Sequence, residues 1–140
     1  MLQEGMSLSE LRRSITQDQI NRYAEISGDH NPVHIDVEFA TKSMFGRIVA
    51  HGMMVLGLIS EMLTVDFGQN WLDRGRLKVR FRSPVYPGDR ISTTGKITGI
   101  ISTDSETKIV CTVGCINGDG EYVITGEASV TVNDTVLNKE

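Results

Sequence analysis

Asp29 and His34 stand five residues apart in Gly28-Asp29-His30-Asn31-Pro32-Val33-His34. An unperturbed imidazole titrates at ~6.5, so a carboxylate and an imidazole held side by side can take up and deliver protons near neutral pH. The segment is neither regular helix nor strand. Gly28 suits the end of a preceding helix, Pro32 fixes its own φ and pushes Asn31 out of the α region, and Asn31 can lock the turn by bonding nearby backbone. The same residue types also build ordinary polar turns, in which Asp29 would cap the turn and His34 would pack against it.

A second group of residues follows. Asp36-Val37-Glu38-Phe39-Ala40 precedes Ile48-Val49-Ala50-His51-Gly52-Met53, which runs directly into an apolar helical stretch. Gly52 then falls at the N-terminus of a long helix, where free N–H groups and the helix dipole favour an oxyanion and no side chain blocks close approach. It can equally be a packing glycine. His51 reads as an anchor of the helix start, and His30 as exposed.

From Tyr23 to about Leu63 the chain resembles the MaoC-like, R-specific enoyl-CoA hydratase family, whose motif reads Gly-Asp-x-Asn-Pro-x-His followed by Ile-x-x-His-Gly-Met. The likeness continues more loosely through Phe81-Arg82-Ser83-Pro84-Val85-Tyr86-Pro87-Gly88-Asp89 and into the C-terminal strands. The resemblance implies a "hot dog" fold. It implies that Asp29 and His34 hold one water and add it to a trans-2-enoyl thioester, giving the (R)-3-hydroxyacyl product. On that reading Asp29 takes the water's proton and His34 delivers one to C2, with the exchange of these two roles as the alternative, and Gly52 polarises the thioester carbonyl. Asn31 belongs to the motif and is assigned to substrate binding. Ser60 matches a serine near the active site of some relatives, with helix packing as the alternative. Met44, Phe45, Ile48 and Val49 are expected to line the acyl pocket. Coenzyme A is the substrate's handle, with acyl-carrier protein as the alternative handle, and no separate cofactor is expected. Related single-domain chains pair sheet edges, which implies a homodimer or higher homo-oligomer.

Two other activities fit the fold. Certain thioesterases use a carboxylate from the central helix, and Glu61 is the acid between Met53 and Leu63. A non-catalytic acyl-thioester-binding subunit is the other, although such a protein has no need of a matched acid/base pair.

The chain has 140 residues and a formal net charge of −4, which fits one domain with a real core across 1–140. An acidic balance argues against a general nucleic-acid or anionic-membrane binder. Gln3, Glu4 and Ser7 stand where a signal peptide would be basic and then apolar. No apolar run approaches the ~20 residues that span a bilayer. Cys111 and Cys115 would lie ~13 Å apart on one strand at ~3.3 Å per residue, too far for a disulfide. They read as reduced, semi-buried thiols of a cytoplasmic protein. With no Cys-x-x-Cys or His-x-x-x-His pair, no metal site is expected.

The positioning elements follow from pattern. Residues 9–15 suit a short strand, and Thr16 with Gln19 forms a capping box for a helix ended by Gly28. A short helix opens at Asp36 and ends by Gly46. Gly52 to Phe67 is apolar on nearly every side, which predicts a helix wrapped by other structure, with Gly68 as its stop. Leu77, Val79 and Phe81 alternate with Arg76, Lys78, Arg80 and Arg82, the mark of a strand with one buried face. That basic stripe reads as a solvated face, with a coenzyme A phosphate contact from it, from Lys42 or from Arg47 as the alternative. Strands are expected near 90–100, 106–116 and 121–132, the last two joined by a hairpin at Asn117-Gly118-Asp119-Gly120. The sum is an α+β domain, an antiparallel five-stranded sheet wrapped around a long central helix, with a polar tail from about 133.

Overall fold

The computed structural model describes residues 2–133. The elements run β1 (Arg12–Ser14), α1 (Gln17–Ser27), a 3-10 turn (Pro32–His34), α2 (Val37–Thr41), α3 (Gly52–Phe67), α4 (Gln69–Arg74), β2 (Gly75–Phe81), β3 (Arg90–Ser102), β4 (Glu106–Ile116) and β5 (Tyr122–Asn133). One antiparallel sheet has the order β1-β3-β4-β5-β2. Register shifts between Ile97 and Gly99 and between Cys115 and Ile116 are the irregularities that bend such a sheet.

The α3 helix supplies Val55, Leu58, Ile59, Met62, Leu63 and Phe67 to the core, and the sheet supplies Ile97, Ile109, Val113, Val123, Ala128 and Val130. The expected α+β architecture is present, with several local differences. α3 is covered on one side only, because Met53 is 58% and Val65 60% exposed. Its apolar composition therefore overstates its burial. α4 was not anticipated; it seats Trp71 in the core. Phe81 does not continue the buried alternation of β2 and is 54% exposed. Cys111 and Cys115 are free and fully buried rather than semi-buried. In the β4–β5 hairpin only Gly120 takes a positive φ, of 80°; Asn117 Oδ1 closes the loop by accepting from the Asp119 and Glu121 amides, both at 3.0 Å. The polar tail lies outside the described residues except for its first position, Asn133, the last residue of β5.

Among the described residues no helix is long and apolar enough to cross a membrane.

Candidate active site

Asp29 is delivered by the end of α1. The Thr16 capping box opens that helix, and Gly28 closes it in the left-handed region at φ 77°, donating its N–H to the Ala24 carbonyl at 3.0 Å. The loop beyond is locked by its own side chains. Ser27 Oγ accepts from the Asp29 amide (3.1 Å), Asp29 Oδ1 from the Asn31 amide (3.2 Å), and Asn31 Oδ1 from the Val33 amide (3.1 Å). Pro32 then starts the 3-10 turn that ends at His34.

His34 is fixed at two points. Gln17 Nε2 donates to its carbonyl at 2.9 Å, and its ring Nδ1 lies 2.7 Å from the Val49 carbonyl. A carbonyl oxygen only accepts, so Nδ1 carries the proton and the neutral ring presents its lone pair at Nε2. Val49 is itself held, its amide donating to Val33 (3.3 Å), while Ala50 donates to Val85 (2.7 Å). This extended segment ends at His51, the N-cap residue of α3. His51 is buried, its Nε2 lies 3.0 Å from the Asp29 carbonyl, and its ring stacks on His34 with centroids 3.8 Å apart. A carboxylate oxygen of Asp29 and one ring nitrogen from each histidine lie within 4.8 Å of one another.

His34 helps to line a cavity of about 460 Å³ together with Asn31, Phe45, Val49 and Gly52, whereas Asp29, which is exposed, and the buried His51 lie beside His34 outside its lining. Its walls are predominantly apolar. Val55, Val123 and Ile124 are fully buried and form its inner end, whereas Phe81 and Arg82 are exposed and form its mouth. Gly52 is the first residue of α3, so its N–H has no acceptor within the helix. The Phe81 ring packs so closely on Gly52 that a Cβ there would meet Cε1 at 2.9 Å.

Three of the expected pocket residues lie elsewhere. Ser60 Oγ accepts from Trp71 Nε1 at 2.9 Å and does not face the cavity; the unanticipated α4 claims this hydroxyl. Met44 is 92% exposed, on a turn beyond α2. Ile48 is buried in the core instead of lining the cavity. Glu61 is ion-paired with Arg13 at 2.6 Å and is absent from the cavity wall. Phe81, Val55, Val123 and Ile124 are lining residues that sequence reasoning missed. Phe81 had a signal, since it opens the second stretch of the resemblance; the β5 pair had none, because only the folded sheet brings it to the cavity.

Asp29, His34 and His51 are also a set of metal-capable donors. Imidazole lone pairs lie in the ring plane, and a ligand nitrogen needs its metal about 2.0–2.1 Å away along that direction. The two rings are stacked with centroids 3.8 Å apart, and one nitrogen of each already holds a carbonyl, which leaves one free ring nitrogen apiece. This arrangement suits proton transfer better than chelation.

Residues 3–118 match the family described as MaoC like domain. The chain is 34% identical over 125 residues to 3-hydroxybutyryl-CoA dehydratase of Methylorubrum extorquens, covering 87% of this chain and 76% of that protein. It is 33% identical over 136 residues to (R)-specific enoyl-CoA hydratase of Rhodospirillum rubrum, covering 94% and 88%. Among solved structures, the unliganded R-hydratase PhaJ1 from Pseudomonas aeruginosa has the same fold, with a TM-score of 0.79 at 26% identity over 94% of this chain and 86% of that one.

Proposed function

This chain belongs to the MaoC-like domain family, and on that premise we propose that Asp29 and His34 hold one water and add it across the double bond of a trans-2-enoyl thioester. The protein is a hydro-lyase of the class that contains R-specific enoyl-CoA hydratases and 3-hydroxyacyl thioester dehydratases. The reaction runs in either direction as thermodynamics allows.

The observation that carries the residue assignment is the separation of the two groups. A water making two hydrogen bonds of ~2.8 Å at a tetrahedral angle bridges partners ~4.6 Å apart, and an Asp29 carboxylate oxygen and a His34 ring nitrogen lie no more than 4.8 Å apart. In the hydration direction the water oxygen attacks C3 while its proton passes to His34 Nε2. The Asp29 carboxylate accepts a hydrogen bond from the water's other O–H, whose hydrogen stays on the oxygen as the C3 hydroxyl, and faces the imidazolium that forms. The double-bond electrons move onto the thioester oxygen, which the Gly52 N–H stabilises at the start of α3. The proton on Nε2 then passes to C2 and the carbonyl re-forms. One water is consumed and no proton is left over. Of the two divisions of roles open to the pair, this reading gives His34 the base role, because the bond from Nδ1 to Val49 leaves Nε2 as the basic nitrogen.

The acyl chain enters the apolar cavity, and the handle, coenzyme A or acyl-carrier protein, leaves past the mouth at Phe81 and Arg82. Proton shuttling of this kind calls for no redox or nucleotide cofactor. Asp29→Asn and His34→Gln test the assignment, since both keep approximate size and hydrogen bonding. General acid/base help is worth ~10²–10⁴ in rate, ~2.7–5.4 kcal/mol at 1.36 kcal/mol per decade. Each single variant should lose activity by that order. Because the groups share one water, the double variant should be little worse than the poorer single one. Folded single variants that retain wild-type turnover would overturn the assignment.

A further inference from the structure

His51 is a buried histidine with one nitrogen satisfied and the other orphaned. It is 2% exposed, and Nδ1 has no hydrogen-bond partner among the described residues. It begins α3 as the N-cap residue but makes no side-chain cap bond. Helix capping therefore does not explain the residue, and a serine or aspartate would cap better. An unsatisfied buried polar atom is costly enough to require a reason.

The reason lies in what the rest of the ring touches. Nε2 is 3.0 Å from the Asp29 carbonyl, which only accepts, so Nε2–H donates and the orphan Nδ1 is the bare nitrogen. One ring face lies 3.8 Å from His34, tilted by 27°. Tyr23 of α1 closes on the same ring with centroids 4.7 Å apart at 56°. Asp29 on the loop, His34 on the 3-10 turn and Tyr23 on α1 are thus the titratable groups that face it.

We propose that His51 is a positioning residue that sets Asp29 and His34 in register, the first through its backbone carbonyl and the second through the face of its imidazole. This rests on the reading of Asp29 and His34 as the water-holding pair. The two groups come from a loop and a 3-10 turn, neither rigid by itself, and a shared water demands that their separation be held. A single ring fixed at the head of a 16-residue helix meets both at once, in the manner of outer-shell partners that orient reacting groups. A misplacement of 1 Å from a residue that never touches substrate can lower a rate ~100-fold.

Two substitutions separate the contacts. His51→Phe keeps a flat ring against His34, loses the bond to Asp29 and removes the orphan nitrogen. His51→Gln keeps an amide donor near the Nε2 position and loses the stack. Both are assayed for kcat and KM with crotonyl-CoA and for thermal melting, beside Asp29→Asn and His34→Gln. Positioning predicts folded variants in which kcat falls ~10–100-fold while KM stays within about threefold. Unchanged kcat in both, a rise in KM alone, or failure of both to fold would make His51 a simple anchor and overturn the proposal. If Asp29→Asn and His34→Gln themselves stay active, the underlying reading fails; if they are silenced while the His51 variants are not, only this inference fails.

Discussion

At Gly52 a Cβ would lie 2.9 Å from the Phe81 ring, so any larger residue must push that ring off the head of α3. Phe81 is half exposed and can move, but the wall beside the Gly52 N–H moves with it. Gly52→Val is therefore expected to fold and to lose ~10²–10³ in kcat, the usual effect of losing one oxyanion donor. Steady-state kinetics on crotonyl-CoA checks this, and an undiminished kcat would remove Gly52 from the chemistry. The cysteines behave differently because neither lines the cavity. Burial pushes the Cys111 thiol up to about 11, with the Asp66 charge adding to it, and burial pushes Cys115 up to about 12. The folded chain thus holds these protons more tightly than an unfolded one, whose thiols titrate at ~8.5. The stability that follows is fully present below that pH and is lost as pH rises towards the folded values. Native protein should resist thiol reagents at pH 7 and melt at progressively lower temperature above pH 9. Fast labelling of the folded chain at pH 7 would contradict the burial of both thiols.

At the scale of elements, the α1 boundary decides where Asp29 lands. Gly28 sits at φ 77°, where an L-residue is disfavoured by ~1–2 kcal/mol, and Asp29 is the next residue. Gly28→Ala should therefore destabilise the fold by about that amount and also lower kcat by displacing the loop. Thr16→Ala at the other end removes the capping box for a similar ~1 kcal/mol and should leave kcat within about twofold. Denaturant unfolding with parallel kinetics distinguishes a helix effect from a loop effect; equal kcat losses in the two would contradict it. Both helix ends were readable in the sequence because caps are local signals, and so were the bounds of α3 and the four long strands to within a few residues. α4 was not, since six residues are too few to be helical on propensity alone and form around the tertiary seat of Trp71. The same limit applies to the site. Asp29, Asn31, His34 and Gly52 carry a motif, whereas the His51 stack joins three separate segments, and the Trp71 bond that draws Ser60 away from the cavity exists only once α4 has formed.

The whole molecule leaves two strand edges, at β1 and β2, with no neighbour on their outer sides among the described residues. An unpaired edge is a template for association, and β2 ends at Phe81, in the cavity mouth. A homodimer paired along such an edge is expected, with each site close to the subunit boundary. Light scattering at micromolar concentration should show at least twice the chain mass, and a stable monomer would contradict it. The chemistry of the assembled molecule is tested most directly by mixing the intact protein with crotonyl-CoA and following enoyl absorbance and free thiol together. Hydration at the Asp29–His34 pair predicts that enoyl absorbance falls to an equilibrium value, that the product is (R)-3-hydroxybutyryl-CoA, and that no thiol appears. Stoichiometric release of free coenzyme A, or no change in either signal from folded protein, would contradict the account.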